Sequence, residues 1–108
     1  MKYSYVEYVP AFKAVSDETR LKIIDMLSCG EMCACDILEE FSISQSTLSY
    51  HMKILYESGL INAVRHGAWM RYTLNKERTE SVLAFLTDIT KEKEDCIFKK
   101  CKGNDTNN

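Results

Sequence analysis

A mainly α-helical domain with one small antiparallel β-hairpin follows from three features of the chain. Apolar residues recur at helical spacing in several segments. Two of these segments are joined by the tight polar turn Ser42-Ile43-Ser44. Directly after the second, two short alternating runs flank His66-Gly67, the pattern of a hairpin. Helix, turn, helix and hairpin in that order make a winged helix-turn-helix, here with about five helices.

The elements follow in order. Tyr3, Tyr5 and Tyr8, with Val6, Val9, Ala11, Phe12 and Val15, predict a short first helix, irregular around Pro10. Ser16-Asp17-Glu18-Thr19 is a helix start, a hydroxyl cap followed by acidic residues in the first turn. Leu21, Ile23, Ile24 and Leu27 follow an amphipathic period, and Gly30 ends that helix. A short helix is expected from about Ala34 to Phe41, and a longer one from about Gln45 to Ser58. Leu48, Met52 and Leu55 line the inner face of the longer helix, and Gly59 closes it. The hairpin strands are residues 60–65 and 68–74. A last helix runs from about Lys76 to Lys93, with Val82, Leu83, Phe85, Leu86 and Ile89 on one side.

Length and composition bound the function. The 108 residues, 45% of them hydrophobic, make one domain over residues 1–102, and residues 103–108 read as a polar, disordered tail. No charged-then-apolar leader opens the chain, and no apolar run approaches the roughly 20 residues that span a bilayer. The expected location is therefore cytoplasmic, with no membrane partner. Five cysteines would be reduced there, and an odd number argues against a closed disulfide framework.

The net charge of −2 gives no overall basic signature, so a nucleic-acid contact requires a local patch. One exists. Between Ser42 and Asn75 the only charges are Lys53, Arg65, Arg71 and Glu57, a local +2. A recognition helix carries short polar side chains at its N-terminal end, where base edges lie in the major groove. Ser44, Gln45, Ser46, Thr47, Ser49, Tyr50 and His51 are the candidates, and Gln45 has the donor and acceptor that pair with adenine. Lys53 suits a phosphate, and Arg65, His66 and Arg71 surround the hairpin tip, where they suit the neighbouring backbone. Tyr50 serves equally as a packing residue and His51 as a satisfied surface imidazole. Trp69 and Tyr72 are expected to pack. Double-stranded DNA is the expected partner; a winged helix that binds only protein is the bland alternative.

The cysteines group at 29, 33 and 35, then at 96 and 101. Cys33-Ala34-Cys35-Asp36 falls at the start of the first helix of the helix-turn-helix, where a helix N-terminus lowers thiol pKa. Two residues on a continuous helix are separated by roughly 200°, so the sulfurs would point apart. Chelation requires Cys33 to stand outside the helix as a cap, or the first turn to unwind. Capture of a soft ion there would distort the element that orients the recognition helix. Thiolates select thiophilic ions. Arsenic(III) takes three sulfurs, with a third from Cys29, Cys96, Cys101 or a small thiol; zinc takes four ligands. Two buried small apolar side chains explain the Cys-x-Cys spacing equally well. Cys29 reads as a core residue. Cys96 and Cys101, beside Lys99, Lys100 and Lys102, read as exposed thiols: incidental, a redox pair or a second metal site.

The segment Glu31-Met32-Cys33-Ala34-Cys35-Asp36-Ile37 resembles the Glu-Leu-Cys-Val-Cys-Asp-Leu box of the arsenic-responsive branch of the ArsR/SmtB repressors. The stretch from Ser16 to Ile23 resembles that family's second helix, Ser44 to Leu55 its recognition helix, and Glu57 to Ile61 with Arg65 to Tyr72 its wing. The similarity covers about residues 11–90. It implies a homodimer joined through the first and last helices, with an imperfect inverted repeat as operator. It also implies repression of the protein's own operon, with release when arsenite or antimonite binds Cys33 and Cys35. Leu38 stands where some members carry a third cysteine, and residues 77–95 lack the histidines of the zinc-sensing members. No adjacent pair of cysteines occurs in the tail.

The rival signal is cadmium, lead, zinc or thiol oxidation, with Cys96 and Cys101 taking part. No permanent cofactor is expected. An enzyme is not expected either: no Cys-x-x-C motif or Cys-His dyad is present, and both histidines, His51 and His66, fall on the DNA side.

Overall fold

The computed structural model describes residues 4–94. Its order is α1 (Tyr5–Ala14), α2 (Glu18–Leu27), β1 (Met32–Cys33), α3 (Ala34–Leu38), α4 (Gln45–Glu57), β2 (Ile61–His66), β3 (Trp69–Leu74) and α5 (Lys76–Thr90). Five helices and a hairpin occur in the order the sequence predicts, but α3 ends at Leu38, short of the expected Phe41, where the chain passes into turn. The third strand is new: β1 pairs antiparallel with β3, giving the sheet order β1-β3-β2.

Each boundary has a local cause. Pro10 lies inside α1 and leaves the helix unbroken, at the loss of one backbone donor. The cap of α2 is Asp17 and not the expected Ser16: its carboxylate accepts from the Arg20 N–H at 3.0 Å. The Ser16 hydroxyl turns back and donates to the Phe12 carbonyl at 2.7 Å. Ser44 caps α4 by accepting from Thr47 N–H at 3.1 Å, and Asn75 caps α5 by accepting from Arg78 N–H at 3.1 Å. The wing turn is the two residues Gly67-Ala68, and Gly67 takes φ +62°, a left-handed value that glycine adopts without penalty. The sequence carried α5 on to Lys93, but it stops at Thr90. Lys91 is extended, and the Lys93 ammonium donates to the Asp88 and Ile89 carbonyls that further helix would have used.

The main core cluster is built from α1 to α4 and the start of the sheet, from Ala11, Ala14, Ile23, Leu27, Ile37, Leu48, Met52, Leu55, Leu60 and Ile61, with Val82 of α5 packed against it. Burying each large aliphatic side chain contributes about 1.5–3 kcal/mol. Two expectations fail here. Leu21 is exposed, because two residues turn the helix by roughly 200° and Ile23 and Leu27 already define the inner stripe. Cys29 is also exposed, since it falls in the turn after α2. Helix α5 is held to α1 by Phe85, whose ring stacks on Tyr8 with centroids 4.0 Å apart. Around that contact the two helices leave apolar side chains open, Val6 (74% exposed) and Leu83 (64%) most of all.

Candidate nucleic-acid interface and thiol centre

Cys33 decides the thiol geometry. It is buried, with φ −86° and ψ 160°, and stands at the N-cap of α3. The backbone is extended there because Cys33 pairs with Arg71 in the β1–β3 ladder. The cap position is one of the two arrangements the sequence allows for chelation, and it brings the sulfurs together. The ligand atoms of Cys33, Cys35 and Asp36 all lie within 4.8 Å of one another. Cys29 is not in this group, and Cys96 and Cys101 lie outside the described residues.

For Cys35 the expected lowering of thiol pKa is reversed. Cys35 is raised, first by the hydrogen bond it shares with the Cys33 thiol, then by burial and by the charges of Cys33 and Asp36. Only the Asp36 N–H works in the other direction. Glu31 and Arg71 form a half-exposed ion pair at 3.8 Å beside the site.

The residues expected to read DNA lie mostly on helix α4. Gln45, Ser46, Ser49, Tyr50 and Lys53 are exposed along it, as are Ser44 and Thr47 at its start. The Ser44 hydroxyl donates to Thr47 Oγ1 at 3.0 Å and lies 3.1 Å from Ser46 Oγ, so the three hydroxyls form one cluster. Arg65 and His66 are exposed near the wing turn, while Arg71 is drawn back toward Glu31.

His51 departs from the group. Its side chain is 12% exposed and faces α2, with Nδ1 2.9 Å from Arg20 and 3.9 Å from Asp17. Trp69 departs in the other direction: expected to pack, it is 57% exposed. Tyr72 does pack, against the core. Trp69 lines a cleft of about 390 Å³ together with Cys35, Gln45, Ser49 and Met70. Cys35, the start of α4 and the wing therefore line one groove, which no spacing in the sequence announces. Sequence reasoning also missed Arg20, whose contact with His51 spans 31 residues.

Comparison with known proteins identifies the family. Residues 17–63 match the family model described as bacterial regulatory protein, arsR family. An arsenical resistance operon repressor of Staphylococcus aureus is 41% identical over 94% of this chain and 98% of its own. A cadmium resistance transcriptional regulatory protein, a CadC homologue of the same organism, is 34% identical over 79% of this chain and 73% of its own. A solved ArsR family transcriptional regulator, RHA00566, superposes with a TM-score of 0.77 over 83% of this chain and 93% of its own, at 23% identity. Sequence and fold together place the chain in the arsR family of bacterial regulatory proteins.

Proposed function

We propose that this protein is a homodimeric repressor that holds operator DNA in its ion-free state and releases it when trivalent arsenic or antimony joins Cys33 and Cys35. The observation that carries the reading is the approach of those two thiols at the cap of α3, on the edge of the groove that also holds the reading helix and the wing. The staphylococcal arsenical repressor supports the choice of inducer.

The chemistry balances without a redox step. Arsenite enters as As(OH)3; two As–O bonds exchange for two As–S bonds, and the two thiol protons leave with the hydroxides as water. The third position is filled by Cys29, Cys96, Cys101 or a small thiol. Drawing Cys33 toward the ion works against the extended backbone that pairs with Arg71, and so disturbs α3 and the wing's sheet together.

On the DNA, Gln45, Ser46, Thr47, Ser49 and Tyr50 face bases or sugars, and Ser44 and Lys53 face phosphates. Arg65, His66 and Arg71 hold the flanking backbone. The apolar residues left open on α1 and α5 join two copies, so that paired reading helices meet an inverted repeat. Among the described residues no helix is long and apolar enough to cross a membrane. A DNA-bound role fits a cytoplasmic regulator that is not an enzyme.

A divalent thiophilic ion is the second reading. The cadmium regulator supports it, and the Asp36 carboxylate in the cluster offers the oxygen that such ions accept. Titrating the DNA complex with arsenite, antimonite, cadmium and zinc separates the two readings. Release by arsenite or antimonite at the lowest concentration supports the first; release by cadmium or zinc alone replaces it.

A further inference from the structure

A polar node at the junction of three helices belongs neither to the thiol site nor to the exposed reading face. Arg20, in the first turn of α2, is its centre. The Nε–H donates to the carbonyl of Ala14, the last residue of α1, at 2.7 Å. A second guanidinium nitrogen lies 2.9 Å from Nδ1 of His51, midway along α4. Guanidinium has donors only, so Nδ1 is the acceptor in this contact. Asp17 completes the node: its carboxylate takes the Arg20 N–H at 3.0 Å and stands 3.9 Å from the same imidazole nitrogen. Tyr50 covers the imidazole edge-on, with ring centroids 5.5 Å apart.

We infer that Arg20 and His51 are positioning residues that fix the reading helix relative to α1, and thereby set the spacing of the two DNA half-sites the dimer accepts. The inference rests on the dimeric reading proposed above. Through Arg20, one side chain ties the end of a helix that bears the open apolar face to the middle of the helix that meets DNA. Both contacts are charge-assisted, and His51 is nearly enclosed, so they hold direction better than an exposed pair.

The lever is short but sufficient. Gln45 lies six residues from His51, about 9 Å along the helix axis, so a tilt of about 10° moves the reading end by about 1.5 Å. Two copies apply that error twice, across half-sites about 34 Å apart. A single half-site tolerates the tilt, because the whole protomer can re-dock; a pair at fixed spacing cannot.

The experiment uses the full chain and duplexes whose half-sites are selected from a random library. Inverted pairs with spacers varied by single base pairs are compared with a duplex holding one half-site. For wild type, one spacing should bind about tenfold more tightly than its neighbours. His51→Leu and Arg20→Gln should lose about that factor at the best spacing, flatten the spacing profile, and hold a single half-site within about twofold. His51→Asn, which puts an amide oxygen near the place of Nδ1, should restore most of the preference.

Equal losses on single and paired sites, or unchanged profiles in both variants, would overturn the inference. If Arg20→Gln fails to fold, the comparison of His51→Leu with His51→Asn carries the test alone. A wild type with no gain from a second half-site would instead overturn the dimeric reading beneath it.

Discussion

Cys33 and Arg71 face each other as partners in the β1–β3 ladder, so the residue that caps the first helix of the helix-turn-helix is also a rung of the wing's sheet. A shift of the Cys33 backbone would disturb both. Serine meets the same backbone demands, since it is extended-tolerant and a better N-cap than cysteine. Cys33→Ser should therefore leave thermal stability equal or raised by about 0.5 kcal/mol, with operator affinity intact and the response to arsenite lost. Thermal melting and a DNA titration check the two halves; a large loss of stability would show that the sulfur is needed for packing.

Asp17 gives a stability test with a definite sign. Its carboxyl is held below the ordinary value of 3.8, first by the Arg20 N–H it accepts, with Arg20 and His51 adding to the effect. A depressed folded-state pKa means stability that is present above pH 3.8 and lost as pH falls through the lower folded value. Asp17→Ala should cost about 1 kcal/mol near neutral pH, the usual worth of a cap. In urea melts the gap between variant and wild type should narrow only in strong acid. A gap that stays constant into strong acid would refute the assignment.

The reading helix separates two kinds of contact. Gln45→Ala should change base preference at one position of each half-site and cost about 1–3 kcal/mol there. Lys53→Ala should weaken all sequences alike and lower the salt slope by about one per protomer. Selection from random duplexes at several salt concentrations measures both. A change of base preference on removing Lys53 would mean the helix docks in another orientation.

Charge placed on the open apolar face should separate the subunits. Val6 and Leu83 are the most exposed apolar side chains of α1 and α5, at 74% and 64%. Val6→Asp with Leu83→Glu should therefore give a folded monomer by sedimentation, with affinity for a paired operator reduced at least about a hundredfold. A variant that remains dimeric would place the interface elsewhere.

Much of this architecture was legible in the sequence because its signals are local. Gly67 turns the hairpin, and Leu48, Met52 and Leu55 recur on one helical face. What was illegible depends on distant partners. Strand β1 is two residues long, too short to alternate, and exists only because β3 is beside it. That pairing holds Cys33 out of the helix, a choice its spacing from Cys35 left open. His51 was open to two readings, a DNA contact or a satisfied surface imidazole, because it follows the polar start of α4; its contact with Arg20, 31 residues away, turns it inward. Trp69 looked like core because tryptophan usually packs, yet it lies open along the groove beside Cys35.

The most direct test of the central claim is fluorescence anisotropy of operator DNA bound by reduced protein, titrated with arsenite for wild type and for the Cys33→Ser/Cys35→Ser variant. Wild type should release the DNA, while the variant binds as tightly at the outset and needs more than about a hundredfold more arsenite to let go. Release of both proteins at the same arsenite concentration would contradict the account and move the sensor away from the cap of α3.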